Sequence, residues 1–222
     1  MPKIIYSDSD IIVVSKPSGM FVHPSPGHES GTLSSFLVSR FPEMSGVGSE
    51  SRPGVVHRLD AGTSGVMVFA RNRRAYLTLR KMFESHDDIV KTYLAVHRRA
   101  LKPAKGEITL RIGRKPWDPH RMAVDVPDGK DAVSSWETLG RNGGFSLVEW
   151  KIKTGRMHQI RVTAAHLGAP IVGDELYGDP NRDRSGRLLL HAVSISFPHP
   201  ATGRRMEFSV PPPPEIIYPS AR

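Results

Sequence analysis

Residues 134–153, "SSWETLGRNGGFSLVEWKIK", set an Asn-Gly-Gly turn between two runs of strand-forming residues, the pattern of a β-hairpin. Punctuation of this kind recurs along the chain and limits its fold more than any other feature. "IIYSDSDIIVVSKPSGMFVHP" (4–24) alternates short β-branched runs with turn residues and predicts a second hairpin or small meander. Residues 65–70, 91–97, 106–113, 187–197 and 205–211 read as further strands, the first of them buried. Helical spacing occurs in three places. At 31–41, Leu33, Phe36, Leu37 and Phe41 follow a Thr32 cap. At 72–86, Ala75, Leu79, Met82 and Phe83 share a face, with Arg73, Arg74, Arg80 and Lys81 on the others. At 154–170, Ile160, Ala164 and Leu167 recur before a Gly168 stop and Pro170. Hairpin turns outnumber helical crossovers, so the expected class is α+β: a mixed, mostly antiparallel central sheet flanked by helices and loops. Segments 44–54 ("MSGVGSESRPG") and 114–122 ("RKPWDPHRM") are expected to be loops, and the proline tail at 211–214 an extended surface end. No solenoid-length repeat or biased linker interrupts the pattern, so residues 1–222 are expected to form a single domain.

Thirty-one Lys and Arg against 22 Asp and Glu leave a formal charge of +9, a surplus that favours a polyanionic partner. Nucleic acid is the first candidate and an acidic membrane surface the second. Cysteine is absent, which excludes disulfides, thiol nucleophiles and thiolate zinc sites. The start, "MPKIIYSDSD", lacks an apolar stretch followed by a cleavage site, and no run approaches bilayer length. A cytoplasmic protein is the expectation.

"VVHRLDAGTSGVMVFAR" (55–71) carries the densest chemistry. An aspartate in a turn ordinarily bonds its own backbone, and Asp60 is open to that reading. Two neighbours argue for more. Gly62 and Gly65 permit unusual backbone angles, so the loop can be shaped around a ligand. Arg58 can hold a carboxylate ionised, act as a plain ion-pair partner, or reach outward to phosphate. "GRMHQIR" (155–161) is the second concentration, with His158 and Arg161 on one helix face and Arg156 near the amino end. The small apolar residues that follow predict a packed helix. A packed arginine needs an anion, best a carboxylate taken through two parallel bonds, and Asp60 is an attractive partner. Tyr93 of "KTYLAV" is either a core aromatic or a platform for a planar base. Ten histidines invite a metal reading, but neither HExxH nor a carboxylate-rich spacing occurs, and no metal is expected. G-x-S-x-G elbows and phosphate-binding glycine loops are likewise absent.

Together these segments resemble the RluA-type family of pseudouridine synthases. "HRLDAGTSGVMVFAR", "KTYLAV" and "GRMHQIRVTAAHLGAPIVGDELYG" match its signatures in family order, with "VVSKPSGMFVHPSPG" before them and "RLLLHA" after. The resemblance covers about residues 11 to 210. It implies the catalytic aspartate at Asp60, the active-site tyrosine at Tyr93, the arginine that pairs with the aspartate at Arg161, and a pocket-lining leucine at Leu190. His57 and Arg58 fall where they would contact phosphate or fill the gap left by a flipped base. Met157 stands where Ser or Thr is usual and Thr163 where His is common, departures that bear on substrate contacts and leave Asp60, Tyr93 and Arg161 in place. The implied fold is the pseudouridine synthase fold with its cleft across the sheet, and the expected chain is a catalytic domain without an N-terminal S4 RNA-binding domain.

The implied reaction turns uridine in RNA into pseudouridine after flipping the base into a pocket, with no cofactor. The expected partner is a ribosomal or transfer RNA stem-loop, bound by a monomer, with the basic helix at 72–86 and the 114–122 loop against backbone phosphates. Two other classes compete with this reading. A non-catalytic RNA-binding protein would bind without turnover. A small-molecule hydrolase using Asp60 as nucleophile would act on free nucleosides or esters and ignore salt.

Overall fold

The computed structural model describes residues 1–86, 88–178 and 186–217. Twelve strands and three α-helices follow one another among the described residues. They are β1 (Lys3–Ser7), β2 (Ile11–Lys16), α1 (Leu33–Arg40), β3 (Gly48–Ser49), β4 (Arg52–Pro53), β5 (Ser64–Ala70), α2 (Arg73–Ser85) and β6 (Val90–His97), and then β7 (Lys105–Lys115), β8 (Asp118–Val124), β9 (Lys130–Asn142), β10 (Phe145–Ile152), α3 (Gln159–His166), β11 (Leu190–Pro198) and β12 (Arg205–Ser209). They fall into two compact units, Met1–Val90 with Ser194–Val210, and Lys91–Val193 with Pro211–Arg222.

In the first unit β2 lies between β1 and β5, antiparallel to both, and Ile11–Val14 are fully buried. A strand apolar on both faces has to be an inner strand, and β5, buried along its whole length, reads the same way. The edge strand β1 alternates exposed and half-buried residues. Helix α1 starts where Thr32 Oγ1 accepts the Ser35 N–H (3.3 Å), and α2 where Asn72 Oδ1 accepts that of Ala75 (2.8 Å). Ala75 and Leu79 are the buried face of α2, and His86 ends it in the left-handed region at φ 62°. Burying Leu79 contributes about 2 kcal/mol. The 44–54 segment, expected to be a plain loop, contains the β3–β4 hairpin. Gly54 closes it at φ 68°, and a Cβ there would lie 2.4 Å from the Ala70 carbonyl, so only glycine lets the hairpin seat against β5.

In the second unit the strand order is β6-β10-β9-β7-β8, and every pairing is antiparallel. Tyr93 stands opposite Trp150, and Trp150 opposite Trp136. Fully buried His97 joins this layer: its Nδ1 bonds the Ala169 carbonyl (2.7 Å) and its Nε2 accepts the Trp150 indole N–H (3.0 Å). Helix α3 places Val162 on Leu110, Ile112 and Ala132.

Two expectations are corrected in this unit. The 114–122 segment is the tip of a long hairpin: β7 reaches Lys115, β8 starts at Asp118, and Pro116–Trp117 make the turn. Proline suits a turn position that needs no donor, which is why its presence does not break the ladder. The proline tail at 211–214 lies at the surface as expected, and the chain turns inward only beyond it, where Ile216 is buried on Val96, Val172 and Leu189. The third helix starts at Gln159, five residues later than the start of the 154–170 segment expected to be helical, and the cause lies in the site.

Candidate active site

The loop 57–63 is built around a buried lysine. Lys16, the last residue of β2, donates from Nζ to the carbonyls of Pro17 (3.0 Å), Met20 (2.8 Å) and Ala61 (2.9 Å). An ammonium withdrawn from water is tolerated only when hydrogen bonds replace its hydration, and the three carbonyls do so. The Gly19 N–H also reaches the Ala61 carbonyl (2.8 Å), and Ser18 Oγ donates to that of Gly62 (2.7 Å). The Lys-Pro-Ser-Gly run near the amino terminus therefore clamps the two residues that follow Asp60. A turn bond from the Thr63 N–H to the Asp60 carbonyl (3.0 Å) completes the loop. Gly65 then enters β5 at φ 124°, a conformation closed to other residues.

Alternate residues of the loop point different ways. His57 is held by its ring: Nε2 accepts the Val68 N–H (3.1 Å), and the ring stacks on Phe83 of α2 at 4.5 Å and 11°. Leu59 is buried, Arg58 is exposed, and Asp60 is half-buried. His23 lies nearby with Nδ1 on the Pro24 carbonyl; burial lowers its pKa, and the charges of Arg52 and Arg58 push the same way. Arg52 thus joins Arg58 in a cationic zone beside the loop.

Within the second unit Tyr93, Arg161 and Leu190 are all buried. Two residues before Tyr93, Lys91 turns inward and donates to the Thr154 carbonyl (2.9 Å); burial, and secondarily Arg156, bring its pKa down to about 8. The segment that follows is organised by Gln159. Its Oε1 accepts from Thr154 Oγ1 (2.7 Å) and the Arg156 N–H (3.0 Å), while its Nε2 donates to the Val133 carbonyl and Ser134 Oγ. Those bonds hold 154–158 as a turn, with His158 left-handed at φ 54°, so the helix cannot begin earlier. His158 is consequently the cap of α3 and does not share a helical face with Arg161. Its Nδ1 meets the Tyr177 hydroxyl at 2.8 Å.

Arg161 makes the two parallel bonds expected of a packed arginine, and it makes them with Asp174: Nε to Oδ2 and a terminal nitrogen to Oδ1, both 2.8 Å. The Asp174 side chain is wholly buried, and its Oδ1 also accepts the N–H groups of Leu176 and Tyr177. The guanidinium lies 5.3 Å from the Tyr177 ring centroid, giving it a flat apolar floor. Asp174, Tyr177, Gln159, Lys16 and Lys91 were not singled out from the sequence. Asp174 and Tyr177 lie inside "VGDELYG", where an acid directly after an apolar run was the available signal. Thr163, at the position where the family commonly has His, is buried with its hydroxyl unpartnered.

Among the described residues one group has metal-ligand chemistry, Asp8, Asp10 and His199, and it lies outside these segments. His199 Nδ1 accepts the N–H groups of Ala201 and Thr202, so the proton sits on Nε2 and is donated to Asp8 Oδ2 (3.0 Å). A donor rather than a lone pair faces the carboxylate, and the cluster ties two turns together.

The scaffold is α+β and rich in antiparallel strands, with a half-buried acid on a clamped loop in the first unit and a buried tyrosine and a carboxylate-locked arginine in the second. The family model for RNA pseudouridylate synthase matches residues 10–166, and the chain belongs to the RNA pseudouridine synthase family. It is 43% identical, over 91% of its length, to an uncharacterised RNA pseudouridine synthase of Chloroflexus aurantiacus, of which it covers 63%. It is 39% identical, over 96% of its length, to a ribosomal large subunit pseudouridine synthase D of Xanthomonas campestris, covering 66% of that protein. The chain thus spans a little under two thirds of the length of these relatives. Among solved structures it resembles human RNA pseudouridylate synthase domain containing 1, with a TM-score of 0.77 at 29% identity over 95% of this chain and 83% of that one. The fold is the α+β pseudouridine synthase fold, with a mixed, mostly antiparallel sheet and few helices. No helix among the described residues is long and apolar enough to cross a membrane.

Proposed function

We propose that this protein isomerises uridine in structured RNA to pseudouridine, with Asp60 as the catalytic residue. The observation that carries the reading is the clamp on the Asp60 loop. Lys16, Ser18 and Gly19 fix the backbone just after a half-buried acid, in a chain whose family performs this reaction. The N1–C1′ bond breaks and a C5–C1′ bond forms. C5 gives up its proton, N1 regains one, and no redox partner is needed. Asp60 acts as the anion, by attack at C1′ or by removal of a sugar proton. Arg161 is the cation that the family resemblance pairs with Asp60, and within its own unit its guanidinium is held by Asp174. Tyr93 stacks on the uracil and Leu190 lines its pocket. Arg58, exposed beside Arg52, takes phosphate, whereas His57 serves the site chiefly by pinning the loop to β5 and α2.

The relatives named for the large ribosomal subunit favour ribosomal RNA over transfer RNA as substrate. Trp117, 79% exposed on the β7–β8 turn with Lys115 Nζ 5.7 Å from its ring, suits an unpaired base nearby. Action as one catalytic domain over 1–222, as a monomer and in the cytoplasm, belongs to the same proposal. The test uses total RNA from a strain lacking the gene, labelled with tritium at C5 of uridine. Wild-type protein should release tritium to water and Asp60→Asn should not. Equal release by both would remove Asp60 from the chemistry, and RNA binding without release by either would refute the isomerase reading.

A further inference from the structure

The second unit carries a cluster of cations at the end of β6 away from Tyr93. β6 ends at His97, about 13 Å beyond Tyr93 at strand spacing. The register sets His97 opposite Ser146 on β10, and Ser146 opposite Arg141 on β9. The chain leaving β6 is held over the same place, because Ser146 Oγ donates to the Arg99 carbonyl at 2.9 Å. It then runs along β9, where the Thr138 N–H meets the Ala104 carbonyl (2.7 Å) and the Trp136 indole N–H that of Pro103 (2.9 Å). Arg99 and Lys102, from the β6–β7 connection, and Arg141, from β9, are therefore brought to one corner of the sheet. All three are exposed, and none has an ion-pair partner among the described residues. Arg98 adds a fourth charge, its guanidinium 5.4 Å from the Phe145 ring centroid. The acids on the adjoining sheet face already have partners of their own: Glu137 pairs with Lys105 at 2.9 Å and Glu149 with Lys151 at 3.2 Å.

Elsewhere on this sheet the chain alternates lysine with glutamate, the ordinary way to keep a face soluble. At this corner Arg99, Lys102 and Arg141 stand without an ion-pair partner among the described residues, on backbone that hydrogen bonds hold still. Self-repulsion of such a group is relieved by a polyanion, whose phosphates release their counterions on binding. We infer that Arg99, Lys102 and Arg141 form a secondary docking surface for the phosphate backbone of the RNA, gripping a part of the substrate outside the loop that is modified. The inference rests on the proposed RNA substrate but assigns these residues no part in the chemistry.

The test pairs Arg99→Gln/Lys102→Gln/Arg141→Gln with wild type on two RNAs, a minimal stem-loop and a domain-length fragment carrying the same uridine. Filter binding gives Kd against salt, and tritium release gives turnover. The triple variant should bind the long RNA about tenfold more weakly at 100 mM salt, with its log–log salt slope reduced by about 2 to 3. On the minimal stem-loop, kcat and KM should stay within twofold. Arg99→Lys/Arg141→Lys, which keeps the charges, should bind the long RNA as wild type does, and unchanged thermal unfolding would show that the fold is intact. Equal losses on both RNAs, or an unaltered slope on the long one, would overturn the docking surface. So would tight binding to anionic lipid vesicles through the same three residues with no preference for the longer RNA. Absence of turnover by wild type with the binding difference intact would count against the isomerase reading and leave this surface standing.

Discussion

Lowering the pH should destabilise the second unit through His97 alone by an amount that can be worked out. Burial brings the His97 pKa from 6.5 to about 4, against a smaller opposing effect of the bond to the Ala169 carbonyl. Between these values the unfolded chain takes up a proton that the folded chain refuses. The contribution of neutral His97 is therefore complete above pH 6.5, falls by about 1.4 kcal/mol per unit as the pH drops, and is exhausted near pH 4. At pH 5 the loss is about 2 kcal/mol. Glutamine at this position offers one donor for the Ala169 carbonyl and one acceptor for the Trp150 indole, and it does not titrate. His97→Gln should therefore start less stable at pH 7.5, because its fit is imperfect, yet lose about 2 kcal/mol less than wild type on going to pH 5. Urea denaturation followed by tryptophan fluorescence measures this directly, since Trp117, Trp136 and Trp150 all lie in the second unit. His23, whose pKa is also lowered by burial, contributes equally to both proteins and cancels. Parallel pH dependences for the two proteins would refute the assignment of His97 as a buried neutral donor and acceptor.

Two substitutions test the supports of the proposed site. Lys16→Met keeps the apolar stem but leaves the Pro17 and Met20 carbonyls without their donor; stability should fall by about 3 kcal/mol. Turnover should drop about a hundredfold as the Asp60 loop loosens, with KM little changed. Urea denaturation and single-turnover tritium release separate the two effects, and normal single-turnover rates would show that the clamp is dispensable. Asp174→Asn sets an N–H group against the Arg161 guanidinium and breaks one of the parallel bonds, at a cost of about 3 kcal/mol. Tritium release should fall sharply while filter-binding affinity for RNA is kept, and full activity in a folded variant would detach Asp174 from the site.

Much of the molecule was legible because its signals are local. Thr32 and the apolar spacing behind it marked α1, the Asn-Gly-Gly turn marked the β9–β10 hairpin, and the unbroken apolar run of 65–70 marked an inner strand. Each depends on residues a few positions apart, within reach of the periodicities of helix and strand. The helix at Gln159 was misread at its start for the opposite reason. Its boundary is set by side-chain bonds from Gln159 to Val133 and Ser134, more than twenty residues upstream, and no local pattern reports them. The 114–122 hairpin was hidden by its two prolines, which look like breakers unless the turn between the strands falls on one of them.

By itself the sequence determined the class of fold, the positive charge, the absence of thiol chemistry and the ordered motifs that mark the family. Tertiary structure alone decided which groups meet. Lys16 reaches Ala61 across 45 positions, the Arg161 guanidinium closes on Asp174 across 13, and Ser146 gathers Arg99 and Arg141 at one corner. A buried charge must find a partner wherever packing brings one, so its identity follows from the folded chain and not from the spacing of residues along it.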